Sequence, residues 1–234
     1  MIVRLPQYQS DFHGRSFVFI HIPRTAGTAI TLALAQQYPD AIVSLFGNKH
    51  ADALRSCDYF RSGSEWLSAF RFSMIRSPWE IIASDYRHTL AAAMAATPAS
   101  RLECTSEWWL RMQRVRGYAG FTEFVRLEWL CEHSLLRPGG FWRSWCQGPE
   151  GEDLGIVPYR FDQLSDAWAQ IRGALGAGDL PLPAPTPTPQ IETTWTPALV
   201  DAVEERCQGD VTRFGFRFPP VLMSHSPQEH SHAT

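Results

Sequence analysis

Ser16-Phe-Val-Phe-Ile-His-Ile-Pro-Arg-Thr-Ala-Gly-Thr28 is the stretch that decides the fold. A short apolar run breaks at Pro23 into a small, hydroxyl-rich turn. An Ala/Leu-rich segment with helical character follows, Thr28 to Gln37. The order is strand, tight loop, helix N-terminus. The first amides of a helix have no intrahelical partner and its dipole is positive there, so this order makes an anion site. Backbone amides around Thr25, Ala26, Gly27 and Thr28, with two hydroxyls, are expected to close on a phosphate, and Arg24 supplies the cation.

Phe70-Arg-Phe-Ser-Met-Ile-Arg-Ser-Pro-Trp-Glu-Ile-Ile-Ala-Ser-Asp-Tyr-Arg87 repeats the logic. A strand over Phe72 to Ile75 meets a polar break, and a helix starts near Pro78, which suits a first turn because its missing N–H is not needed there. Arg76 stands just past the strand. Ser84 lies eight residues on, about two helical turns into the helix. The two are expected to converge on a second phosphate.

Together the blocks resemble the PAPS-dependent sulfotransferases, especially their carbohydrate branch. In that family the first block holds the 5′-phosphosulfate of PAPS (3′-phosphoadenosine 5′-phosphosulfate). The second, Arg-x-Pro-Trp followed by Ser, holds the 3′-phosphate. The matching residues are Pro23, Arg24, Thr25, Ala26, Gly27 and Thr28 for the first, and Arg76, Pro78, Trp79 and Ser84 for the second. Val157-Pro-Tyr-Arg-Phe-Asp-Gln-Leu164 resembles a later strand of the family. Trp195 to Asp201 and Asp210-Val-Thr-Arg-Phe-Gly-Phe216 resemble its C-terminal helix and aromatic-Gly-aromatic turn. The chain departs from the family at Arg24, where Lys is usual; Lys is a point charge and Arg a planar fork. Lys49 is the one Lys beside twenty Arg.

The resemblance implies an α/β fold: a three-layer sandwich on a central parallel sheet, of the P-loop nucleoside triphosphate hydrolase type. It implies one domain over residues 1–218 and transfer of a sulfuryl group from PAPS to a hydroxyl of a carbohydrate or other small acceptor. No metal is required, because protein cations neutralise the phosphates. Two other functions remain open at this point. A small-molecule kinase shares the strand-loop-helix order, but G-x-x-x-x-G-K-[ST] is absent. A non-catalytic nucleotide-binding member of the fold is the other.

Composition sets the bounds. At 234 residues and 44% hydrophobic content the chain supports one well-buried domain. A net charge of −3 argues against a general nucleic-acid binder, so any anion site is local. No stretch approaches the apolar length of a membrane span. Met1 to His13 is polar and mixed, without the pattern of a signal peptide. Cysteines 57, 104, 131, 146 and 207 are scattered, which points to reduced core thiols and a cytoplasmic setting.

Strands are expected over 16–22, 41–46, 70–75 and 155–161. Helices are expected over 28–37, 50–57, 79–94, 105–116, 120–132, 163–174 and 197–213. Alternation of the two types implies crossovers and a parallel sheet. Residues 137–154 read as a loop or hairpin. Residues 179–189 read as an extended Pro-rich crossover, and 219–234 as a disordered tail.

The acceptor hydroxyl must shed a proton, which His does near neutral pH. His50 is assigned as base, since it follows the second strand at the carboxyl edge of the sheet. His21 ends a buried strand and reads as structural. His88 reads as solvated, Lys49 as surface and Trp79 as packing. On Glu107 to Arg116, Trp108, Met112 and Val115 share one face. Arg111 and Arg114 lie off it, either as a solvated charged face or as part of an acceptor wall.

Overall fold

The structure, a computed structural model, describes residues 1–4, 15–43, 68–97, 99–103, 105–184, 189–219 and 222. Strand β2, Phe17–Ile20, is buried along its whole length. Its alternate side chains enter two different cores, as a sheet covered on both faces requires. Phe17 and Phe19 join one core with Phe72 and Met74 of β4, Phe70–Ile75. Helices α1, Gly27–Gln37, and α7, Leu164–Leu175, close that face through Ile30, Leu34, Trp168 and Ile171. Val18 and Ile20 join the opposite core. There α2, Pro78–Ala95, supplies Trp79, Ile81 and Ile82. This face is completed from later in the chain. First come α4, Ser106–Gly117, after the short α3, Ser100–Glu103, and α5, Phe121–Phe124, with its π-helical continuation Val125–Trp129. Then come α6, Phe141–Cys146, and α8, Pro197–Arg206.

β2, β4 and β5, Val157–Arg160, are parallel neighbours, in register Phe19 with Phe72 and Phe72 with Val157. Here the expectation of a parallel sheet holds. The whole sheet is mixed, in the order β3-β1-β2-β4-β5. β1, Ile2–Arg4, lies antiparallel to both β2 and β3, Ile42–Val43. The sequence reading placed no strand in the polar N-terminal stretch. Three residues are too few to show alternation, and only the neighbours on either side make them a strand.

Two further expectations change. Residues 137–154 are not a plain loop or hairpin: they hold α6, followed by a turn closed by a Gln147–Asp153 bridge. The helix expected over 197–213 is broken at Cys207 into α8 and α9, Gln208–Phe214. At the break, Gly139 donates to the Arg206 carbonyl at 2.9 Å and accepts the Asp210 amide at 3.1 Å, which replaces the bond between those two residues in a continuous helix. The buried Asp210 carboxylate accepts the amides of Phe141 at 2.6 Å and Trp142 at 3.1 Å, capping α6 from 68 residues away. No local residue predicts that cap. Residues 179–184 and 189 carry neither helix nor strand, as expected for the Pro-rich crossover. The helix expected at 50–57, His50, Lys49 and the tail beyond 222 lie outside the described residues. Among the described residues no helix is long and apolar enough to cross a membrane.

Burial pushes the Asp210 carboxyl up from 3.8 to about 7, against the pull of the two amides and of Arg213. Between those values the folded chain holds a proton that the unfolded chain has lost. This group's contribution to stability therefore falls as pH rises from about 4 to about 7. Chemical denaturation across that range is expected to show a shallower fall for Asp210→Asn. Asp210→Ala, which leaves two buried amides without an acceptor, is expected to cost about 2–4 kcal/mol.

Candidate functional site: an arginine-lined loop at the strand ends

The chain leaves β2 through His21 and Ile22 into the turn Pro23–Ala26. Arg24 at φ 64° and Ala26 at φ 63° are the only non-glycine residues with positive φ among the described residues. Each costs about 1–2 kcal/mol for an L-residue. Strain of this kind persists only where the surroundings over-determine it. Thr25 between them and helical Gly27 after them have negative φ, so the sign alternates along the turn. An αL–αR alternation aims successive backbone N–H groups into one concavity, a nest for an anion. It opens at the N-terminus of α1, where the Ncap Ala26 offers no side-chain oxygen to the first amides.

Two contacts set this turn. Fully buried Thr25 donates its hydroxyl to Ile22 O at 2.8 Å. That proton is committed to the turn, so Thr25 acts here as a brace, while exposed Thr28 presents a hydroxyl on the first turn of α1. The second contact is His21, buried and stacked on Phe19 at 5.9 Å, with its imidazole against the Cα of Gly27. A Cβ at position 27 would overlap the ring. His21 is therefore a packing residue, as expected.

The second block meets the first directly. Arg24 donates from Nε to the buried Ser84 Oγ at 3.2 Å. Arg76 donates from Nη1 to the Arg24 carbonyl at 3.2 Å. The residues assigned to two separate phosphates thus share one network. Ser84 orients Arg24 and leaves both terminal nitrogens of that guanidinium without a hydrogen bond among the described residues. Arg76 lies over the Phe161 ring at 4.3 Å and faces Glu80 at 3.5 Å, with its Nε buried and unbonded. Burial holds Arg24 below its ordinary pKa; Asp85 opposes the shift and Arg76 adds to it. Burial likewise lowers Arg76, with Glu80 opposing and Arg87 adding. Among the described residues Glu80 is the one carboxylate in ion-pair contact with either guanidinium.

Arg87 belongs to the same group, and the sequence reading gave it no role. It sits three residues after Ser84, on the same face of α2. The spacing was the only signal, and any surface helix carries such pairs. Burial lowers its pKa too. Among the described residues its hydrogen bonds go to neutral acceptors, Ile191 O at 2.9 Å and Thr193 Oγ1 at 2.8 Å.

Other residues take structural roles. Trp79 is fully buried and donates Nε1 to Val200 O at 3.2 Å, which fits the packing expectation. Exposed His88 lies beside Trp108, ring centroids 5.9 Å apart. Arg111 departs from the expectation of a solvated face: it pairs with buried Asp85 at 2.6 Å and with Glu128 at 2.9 Å. Glu128 also accepts from Tyr118 at 2.7 Å and Arg114 at 3.2 Å. Burial would raise its carboxyl, but these bonds outweigh burial and hold it below the ordinary value. Burial opposes ionisation of Arg111 as well, yet its two carboxylate partners lift it above the ordinary value. Beyond the strand ends Ile22, Ile75, Arg76, Trp142, Asp210 and Phe216 close on a narrow crevice with no free volume for a water molecule. Among the described residues no group of three His, Cys, Asp or Glu side chains is placed to hold a metal ion. No protein-family model, curated protein or solved structure matches the chain.

Gly27→Ala is expected to lower stability by about 1–3 kcal/mol, the usual cost of overpacking a filled site. The overlap is with the His21 ring, so His21→Ala in the same chain should recover part of that loss. Melting temperatures of the two single variants and the double variant read the coupling.

Proposed function

We propose that this protein is a sulfotransferase that moves a sulfuryl group from PAPS to a hydroxyl of a carbohydrate or similar acceptor. One observation carries the reading. Arg24, held by Ser84 through Nε, has two guanidinium nitrogens without a hydrogen bond among the described residues, on a turn whose alternating φ signs suit an anion nest. Arg76 stands against the same turn. A strand-loop-helix unit of the P-loop type, with more arginines than paired carboxylates among the described residues, suits a nucleotide whose leaving group is a phosphate.

In this reading the acceptor oxygen forms a bond to sulfur as the bond from sulfur to the bridging phosphate oxygen breaks. Negative charge then grows on the departing 5′-phosphate. The loop amides, Thr28 and Arg24 meet it, with little reorganisation because they are already aimed. Arg76 and Ser84 hold the 3′-phosphate end. The acceptor proton passes to a base, assigned from the sequence to His50. The cations that do this work belong to the protein, so a chelator should leave the transfer intact.

The test is calorimetric binding of adenosine 3′,5′-bisphosphate (PAP, the desulfated product) against ATP. The wild type is expected to prefer PAP, and Arg76→Ala to lose about tenfold or more in affinity. A preference for ATP, or equal binding by the variant, would overturn the reading. His50→Ala is expected to lower turnover with PAP affinity unchanged; near-normal turnover removes His50 as base.

A further inference from the structure

Three guanidinium groups converge where the first turn meets α2. Glu80, Ser84 and Arg87 stand at i, i+4 and i+7 of α2 and so share one face. Each engages a different partner there: Arg76 for Glu80, Arg24 for Ser84, and Ile191–Thr193 for Arg87. The charges do not balance. Glu80 is the only carboxylate in ion-pair contact with any of the three arginines among the described residues. Asp85, whose field reaches Arg24, is taken by Arg111 at 2.6 Å. Among the described residues Arg24 and Arg87 therefore have only neutral hydrogen-bond partners. Desolvated guanidinium charge without a counterion is unfavourable unless an anion completes it.

Arg87 spends Nε and Nη2 on Ile191 and Thr193 and leaves Nη1 without a hydrogen bond among the described residues. It lies about 4.5 Å along the helix axis from Ser84. We propose that Arg87 is a third cationic contact of the anion site, made through Nη1, and that Ile191–Thr193, which it grips, forms the wall beside it. The proposal rests on the anion-site reading above and adds to it a residue whose charge sets specificity. The ligand must then be anionic at two separated points. One sits at the turn and α1, and the other sits along α2 between Arg76 and Arg87. A nucleotide phosphorylated only on its 5′ side fills the first point alone.

The experiment compares PAP with adenosine 5′-monophosphate by calorimetry on the full chain and on Arg87→Gln. Gln removes the charge and keeps a donor for Ile191 O. Wild type is expected to favour PAP. Arg87→Gln should lose about tenfold in PAP affinity and change less than about threefold for the monophosphate. Equal losses for both ligands, or no loss, overturn the proposal. Thr193→Val frees the wall without touching charge and should leave the discrimination intact. If it matches Arg87→Gln, the effect comes from the wall's position and the proposal fails. Should Arg87→Gln not fold, Arg87→Lys takes its place: it keeps the charge and is expected to keep the discrimination, and losing it overturns the proposal.

Wild type that binds neither nucleotide defeats the nucleotide reading alone, and inorganic pyrophosphate then decides on Arg87. A rise in melting temperature for the wild type that is lost in Arg87→Gln upholds the cationic contact. Equal shifts, or none in the wild type, overturn it.

Discussion

Parallel pairing of β2 with β4 is the constraint on which the site depends. With Phe19 in register with Phe72, their rings stacked 5.0 Å apart, both strands end at the same edge of the sheet. Their two following turns must then lie side by side. Arg24 reaches Ser84 only because of this, and Arg76 reaches the Arg24 carbonyl for the same reason. Antiparallel pairing would put the turns at opposite edges and leave two unrelated loops. The positive φ values of Arg24 and Ala26 are sustained by the same closeness. The Thr25 bond to Ile22 and the His21 ring on Gly27 press the turn into a shape it would not adopt alone.

The α2 helix separates two kinds of charge. Asp85 faces Arg111, and with Glu128 forms a satisfied ion-pair group among aromatic rings. Breaking such a group by removing one partner leaves a buried charge, and its energetic role is to join α2 and α4 to the π-helical turn. Ser84 and Arg87, on the face toward the strand ends, belong to a group where, among the described residues, arginines outnumber their carboxylate partners. One residue of helical rotation thus divides structural from unbalanced electrostatics, and a helix delivers that division through its 100° step per residue.

The far end of the chain is tied in by long-range polar contacts. Asp210 caps α6 and the Gly139 carbonyl accepts the Asp210 amide, so α9 and the segment before α6 hold each other. Gly140 and Gly209 are glycines because a Cβ on the first would meet the Asp210 carboxylate, and a Cβ on the second the Gly139 carbonyl. Trp142 and Asp210 then line the narrow crevice beyond the strand ends, so this tertiary cap also shapes the surface beside Arg76.

Hydrophobic alternation, turn chemistry and helix-start signals act over a few residues. The sequence by itself therefore determined β2, β4, β5, α1, α2, α4 and α7, and the order strand, turn, helix around Arg24. It also marked Arg76 and Ser84, because their spacing from Pro78 is local. Only the tertiary structure decided the rest, since each remaining feature is set by partners remote in the chain. β1 is a strand because β2 and β3 flank it. α6 exists because Asp210 caps it. Arg111 is buried because Asp85 and Glu128 meet it. Arg87 joins the arginine group because α2 packs against the loop and the 191–193 segment closes over it. Charge balance is a sum over neighbours in space, and a linear sequence names the charges without naming those neighbours.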